Sequence, residues 1–157
     1  MLWENIVIIL LVYVFIAAIG ARLVVPYFGF RRPYAPKKMP NPWEKHLVFL
    51  KGQSKSSKEF LINAFNLITA QYKGGRRQNF LRIWRAFGSA FNKKSGYLTC
   101  NMQNYLLHSL LIKSGYFKEK DIRHKYRLLR PFIHQWLEIN LGGKWIIADP
   151  WARKLEI

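Results

Sequence analysis

The stretch that decides the fold is Phe132-Ile133-His134-Gln135-Trp136-Leu137-Glu138-Ile139, then Asn140-Leu141-Gly142-Gly143, then Lys144-Trp145-Ile146-Ile147-Ala148-Asp149. Polar and apolar residues alternate on both flanks, and the middle four are turn formers, so the spacing predicts two antiparallel strands joined by a hairpin loop. With residues 140–143 as the loop, Ile139 faces Lys144, and His134 falls opposite Asp149 on the same face. Directly opposed residues on one face sit close enough for a carboxylate to bond an imidazole. The same face would carry Trp136, Trp145 and Ile147 and pack on a helix. A slip of one residue would send His134 and Asp149 to opposite sides of the sheet.

Upstream of the hairpin stands Cys100, the one cysteine of the chain. One thiol builds no disulfide framework and no multi-thiolate zinc site, which leaves a buried hydrophobe or a nucleophile. Met102, Leu106, Leu107, Leu110 and Leu111 recur at helical spacing behind it, with Thr99 placed as N-cap and Gly115 as C-cap. A cysteine at a helix start meets free N–H groups and the positive end of the macrodipole, which favour an anion.

Two more helices are predicted before it. One begins near Ser56, whose S-x-x-E spacing to Glu59 is that of a capping box, and ends at Gly74-Gly75. The other spans Arg77 to Phe91, with Phe80, Trp84, Phe87 and Phe91 on one stripe and arginines elsewhere. Lys125 to Arg130 reads as extended. His46 and His108 read as structural or exposed, His124 as solvated, and Glu138 as structural or facing substrate.

The first residues read differently. Ile6 to Ile19 carries no charge, and Trp3 to Val25 has the roughly 20 residues a membrane-crossing helix needs. A cleaved signal is disfavoured, because Glu4 is the only charged side chain before the apolar run. Residues 1–25 are therefore expected as a transmembrane anchor, 26–43 as a proline-rich basic juxtamembrane linker, and 44–157 as the domain that holds Cys100 and the hairpin. Basic residues lie only after the span, from Arg22 through Lys45, which predicts a single-pass protein with its C-terminal domain in the cytoplasm. The chain has 26 Lys and Arg against 8 Asp and Glu, a net charge of +18. That imbalance points to anionic surroundings, acidic lipid headgroups, nucleic acid or an acidic substrate, and the cluster after the span would lie against an anionic membrane surface. No nucleic-acid motif accompanies it, so no specific nucleic acid is expected.

Two segments together resemble the transglutaminase-like superfamily, a papain-like Cys-His-Asp fold. They are Gly96-Tyr97-Leu98-Thr99-Cys100-Asn101-Met102-Gln103 and the hairpin with its H-x-W-x-E and G-x-W-x-x-x-D-P patterns. The chain departs from the family in Gln135 after the histidine, in Asn101 and Met102 after the cysteine, and in ending soon after the aspartate strand. The resemblance implies an α+β domain of helices on an antiparallel sheet, with Cys100 as nucleophile, His134 as base and Asp149 as orienting carboxylate. It implies thiol chemistry on a peptide or protein amide through a thioester, with hydrolysis favoured over transglutamination and with neither cofactor nor metal. Gln103, Gln71 and Trp136 are candidates for the oxyanion or substrate-binding group. The alternative expectation is a catalytically inactive, membrane-tethered binding module with a basic surface for acidic lipid or polyanion.

Overall fold

The computed structural model describes residues 2–24, 34–86, 88–129 and 132–157, with the side chains of residues 2, 18–24, 80, 83, 86, 128, 129 and 132 outside the description. Its elements are α1 (Leu2–Val24), α2 (Asn41–Gln53), α3 (Ser57–Gln71), β1 (Tyr72–Lys73), α4 (Arg76–Leu81), β2 (Gly96–Tyr97), α5 (Cys100–Ser114), β3 (Ile122–Leu129), β4 (Phe132–Leu141), β5 (Lys144–Asp149) and β6 (Lys154–Leu155). The architecture is α+β. Strands β3-β4-β5-β6 form one antiparallel sheet in chain order, and β1 and β2 form a separate parallel pair.

Helix α5 is the centre of the core, packed against α2 and α3 and against β4. It is buried on almost every side, from Met102 through Ser114. A helix covered all round needs no polar face, yet this one buries Gln103, Asn104, His108, Ser109 and Ser114. Thr99 stands at the N-cap position but its hydroxyl makes no capping bond, and Gly115 closes the C-terminus as expected, in the left-handed conformation at φ 84°. Helix α3 also starts where expected. The Ser56 hydroxyl accepts the Glu59 N–H, while Glu59 reaches back to the Lys55 N–H at 2.7 Å.

Three expectations about the elements are corrected. The helix over 77–91 is broken into α4 and two short 3₁₀ turns, Ile83–Ala86 and Ala90–Asn92. Gly88 stands at φ 81° and ends any continuous helix there, and Ser89 caps the second turn by accepting the Phe91 N–H. Helix α2 falls at the end of the stretch read as linker. Pro42 sits in its first turn, where a missing N–H costs nothing. Trp43, Leu47 and Leu50 face the core with Met39 ahead of them, so the folded unit starts inside the proline-rich segment. Residues 25–33, the rest of that predicted linker, lie outside the described residues.

The transmembrane anchor is the third correction. Among the described residues, no helix is long and apolar enough to cross a membrane. The expected single-pass topology and its cytoplasmic orientation fall with it.

The hairpin register differs from the expected one by two residues. Gly142 and Gly143 both have positive φ, 63° and 92°, which a two-residue type I′ turn requires. Asn140 and Leu141 therefore join β4, and Leu141, not Ile139, pairs with Lys144. A shift of two keeps every side chain on its expected face. The face that packs on α5 is nevertheless the other one: Gln135, Leu137 and Ile139 with Ile146 and Ala148. Trp136, Trp145 and Ile147 lie on the opposite, half-buried side.

Candidate active site

Cys100 is the first residue of α5, half-buried, and its sulfur lies 3.8 Å from the carbonyl oxygen of Ile133. The next residue of β4 is His134, and the thiol and this imidazole are within hydrogen-bonding reach. The thiol thus approaches past the backbone at the start of β4, and the broad face of the sheet is left to core packing. Helix and strand are locked in this relation by Asn104. Its side-chain N–H donates to the Gln135 carbonyl at 2.8 Å inside the core.

His134 Nε2 lies 2.6 Å from Asp149 Oδ2. Continuing the β4–β5 ladder by one step puts Trp136 opposite Asp149, so His134 meets the carboxylate on the diagonal. Diagonal neighbours are farther apart than opposed ones, and the far nitrogen of the ring spans the difference. That leaves Nδ1 outside the bond to the carboxylate. The other carboxylate oxygen, Oδ1, accepts the Ala152 N–H at 3.0 Å, so the turn after β5 holds the acid in place. Arg153, at φ 56°, completes the turn and donates to the Thr69 carbonyl at 3.1 Å.

Burial by itself would lower the His134 pKa. The bond it donates to Asp149, the bond with Cys100 and the negative charges of both groups outweigh it and raise the value from 6.5 to about 9. The ring is thereby held as imidazolium against a carboxylate on one side and sulfur on the other.

Two tryptophans flank the ring. Trp136 stacks on it at 6.0 Å with 28° between planes, and Trp151 lies tilted against it at 5.0 Å. Both indole N–H groups are buried and have no hydrogen-bond partner among the described residues. Trp151 was not singled out from the sequence, though the ladder that reaches Asp149 also carries residue 151 toward His134. It is seated by Gly74: a Cβ there would run into the Trp151 carbonyl oxygen and lie 2.7 Å from its ring.

The remaining candidates are placed unequally. Trp136 is beside the imidazole. Gln103 is fully buried one turn into α5, but its side-chain nitrogen donates to the Leu98 carbonyl at 2.9 Å and so braces the chain entering Cys100. Asn79 approaches the same carbonyl at 3.4 Å. Gln71 is the last residue of α3, and no described hydrogen bond joins its side chain to the site. Away from the site, His108 is buried with Nε2 3.1 Å from Glu119, and His124 Nε2 lies 3.3 Å from His108 Nδ1, so His124 is not the solvated residue expected. Glu138 shares the His134 face and pairs with Lys125 at 3.6 Å. No protein family, no curated protein and no solved structure matches this chain.

Proposed function

We propose that the chain is a transglutaminase-like thiol enzyme that cleaves an amide or peptide bond. The observation that carries this reading is the run Cys100–His134–Asp149, closed by the 2.6 Å contact between imidazole and carboxylate beside a thiol at a helix start.

The Cys100 sulfur, as thiolate, attacks the carbonyl carbon of the substrate, and a C–S bond forms. The carbonyl oxygen takes the negative charge and is held by the Cys100 backbone N–H and a second donor. Gln103 is not free for that second role, because its nitrogen is committed to the Leu98 carbonyl. As the C–N bond breaks, His134 gives its proton to the leaving amine. Water then adds to the thioester with His134 as base, the acid departs, and the thiol returns. An amine in place of water would give cross-linking; hydrolysis is the favoured outcome. Asp149 keeps the ring turned with Nδ1 toward sulfur throughout.

The test is direct because the chain has a single cysteine. Cys100→Ala should abolish both labelling by a thiol-directed probe and amide turnover. Turnover that survives the substitution refutes the mechanism.

A further inference from the structure

Between β1 and β2 the chain makes an excursion over residues 74–95, and its place in the fold ties it to the thiol. The two stems lie side by side, Tyr72 beside Gly96 and Lys73 beside Tyr97, and the Leu98 N–H donates to the Lys73 carbonyl at 3.1 Å. The second stem runs into Cys100 three residues after Tyr97. The first opens with Gly74, packed under Trp151, which touches His134. Both reacting side chains therefore border the base of this excursion.

Its surface is uniformly cationic. From residue 60 to residue 118 the chain contains no Asp or Glu. Arg76, Arg77 and Arg82 are exposed, and no described ion pair engages them. Arg82 stacks its guanidinium on the Tyr97 ring at 5.6 Å, which pins the excursion to the stem that leads to Cys100, and Arg85 donates to the carbonyls of Lys94 and Ser95 and so closes the excursion on itself. Among the arginines, Leu81 and Trp84 stand out of the surface, 67% and 64% exposed. Unpaired like charges beside a reaction centre attract an oppositely charged ligand and speed its arrival.

We propose that this excursion docks an acidic segment of the polypeptide substrate, with Asp or Glu side chains on Arg76, Arg77 and Arg82 and apolar side chains on Leu81 and Trp84. The inference rests on the thiol-enzyme reading for its choice of ligand: an amide must be delivered to Cys100, and a polyanion without one gives the thiol nothing to attack. The cationic surface selects substrates by charge, and Trp84 and Leu81 add apolar contact that charge alone lacks.

The experiment uses the full chain carrying Cys100→Ala, so that docking is read apart from reaction. Fluorescence anisotropy follows a labelled peptide in which Asp and Glu alternate with Leu, and a matched peptide with Asn and Gln in place of the acids. The acidic peptide should bind at least about tenfold more tightly. The advantage should shrink when NaCl is raised from about 50 to about 300 mM, because exposed charges are screened. The double variant Arg76→Glu/Arg77→Glu should remove it. Equal binding of the two peptides, or a preference that survives the double variant, overturns the proposal. So does tighter binding of a single-stranded oligonucleotide of the same charge. A docking result that holds while the unmodified enzyme shows no Cys100-dependent turnover would sink the thiol mechanism alone.

Discussion

His134 and Asp149 meet across the β4–β5 ladder on a diagonal, Nε2 to Oδ2 at 2.6 Å, two positions away from direct opposition. The diagonal has a chemical consequence. It uses the distal ring nitrogen for the carboxylate and leaves the proximal one outside that bond. A directly opposed pair would sit closer, and the carboxylate would compete with the thiol for the near side of the ring.

Replacing the acid removes that orientation. Asp149→Asn should lower kcat/KM by about 100-fold or more, the scale of a lost acid–base contribution. It should also move the alkaline limb of the pH profile below the wild-type position near 9, since Asp149 is the foremost group raising His134. An unchanged profile would show that the acid does not act through the imidazole.

The raised His134 value also has a stability signature. A base whose folded pKa exceeds its unfolded one stabilises the fold fully below the unfolded value and loses that contribution as pH rises through the folded one. For His134 the window runs from 6.5 up to about 9. The wild type should therefore be more stable than His134→Gln at the low end of the window, by on the order of 1–3 kcal/mol, and this gap should close on the alkaline side. Urea unfolding of both proteins at the two ends measures it; a gap that does not vary with pH contradicts the assigned charge state.

Gly74→Ala tests the seat of Trp151. The added methyl meets the Trp151 carbonyl and ring far inside contact distance, so backbone or indole must move. Overpacking of this kind should cost about 1–3 kcal/mol in stability. Displacing the indole from His134 should slow turnover as well. Unfolding midpoints and kcat measured on the same preparations decide the matter, and wild-type values for both would mean that Trp151 tolerates a wholly different seat.

Helix α5, its caps, the start of α3 and the two long hairpin strands were legible because each is written in local terms: helical spacing, an S-x-x-E cap, a terminal glycine, strict alternation. The same local rules misled where two signals overlapped. The aromatic spacing over 77–91 is helical, but Gly88 at φ 81° ends it. The prolines before residue 43 suggested extended chain, yet Pro42 opens α2. The apolar run at the N-terminus suggested a membrane span, but among the described residues no helix is long and apolar enough for one.

The sequence by itself determined which residue types stand ready and on which face of each strand they lie, because alternation and helical period are properties of neighbours along the chain. That is why a register wrong by two still put His134 and Asp149 on one side. Tertiary structure alone decided which face covers α5, that the thiol comes to the imidazole past Ile133, and that Trp151 and Gly74 seat the ring. Those relations join residues tens of positions apart. They depend on how helix and sheet fill a shared volume, which no local pattern encodes.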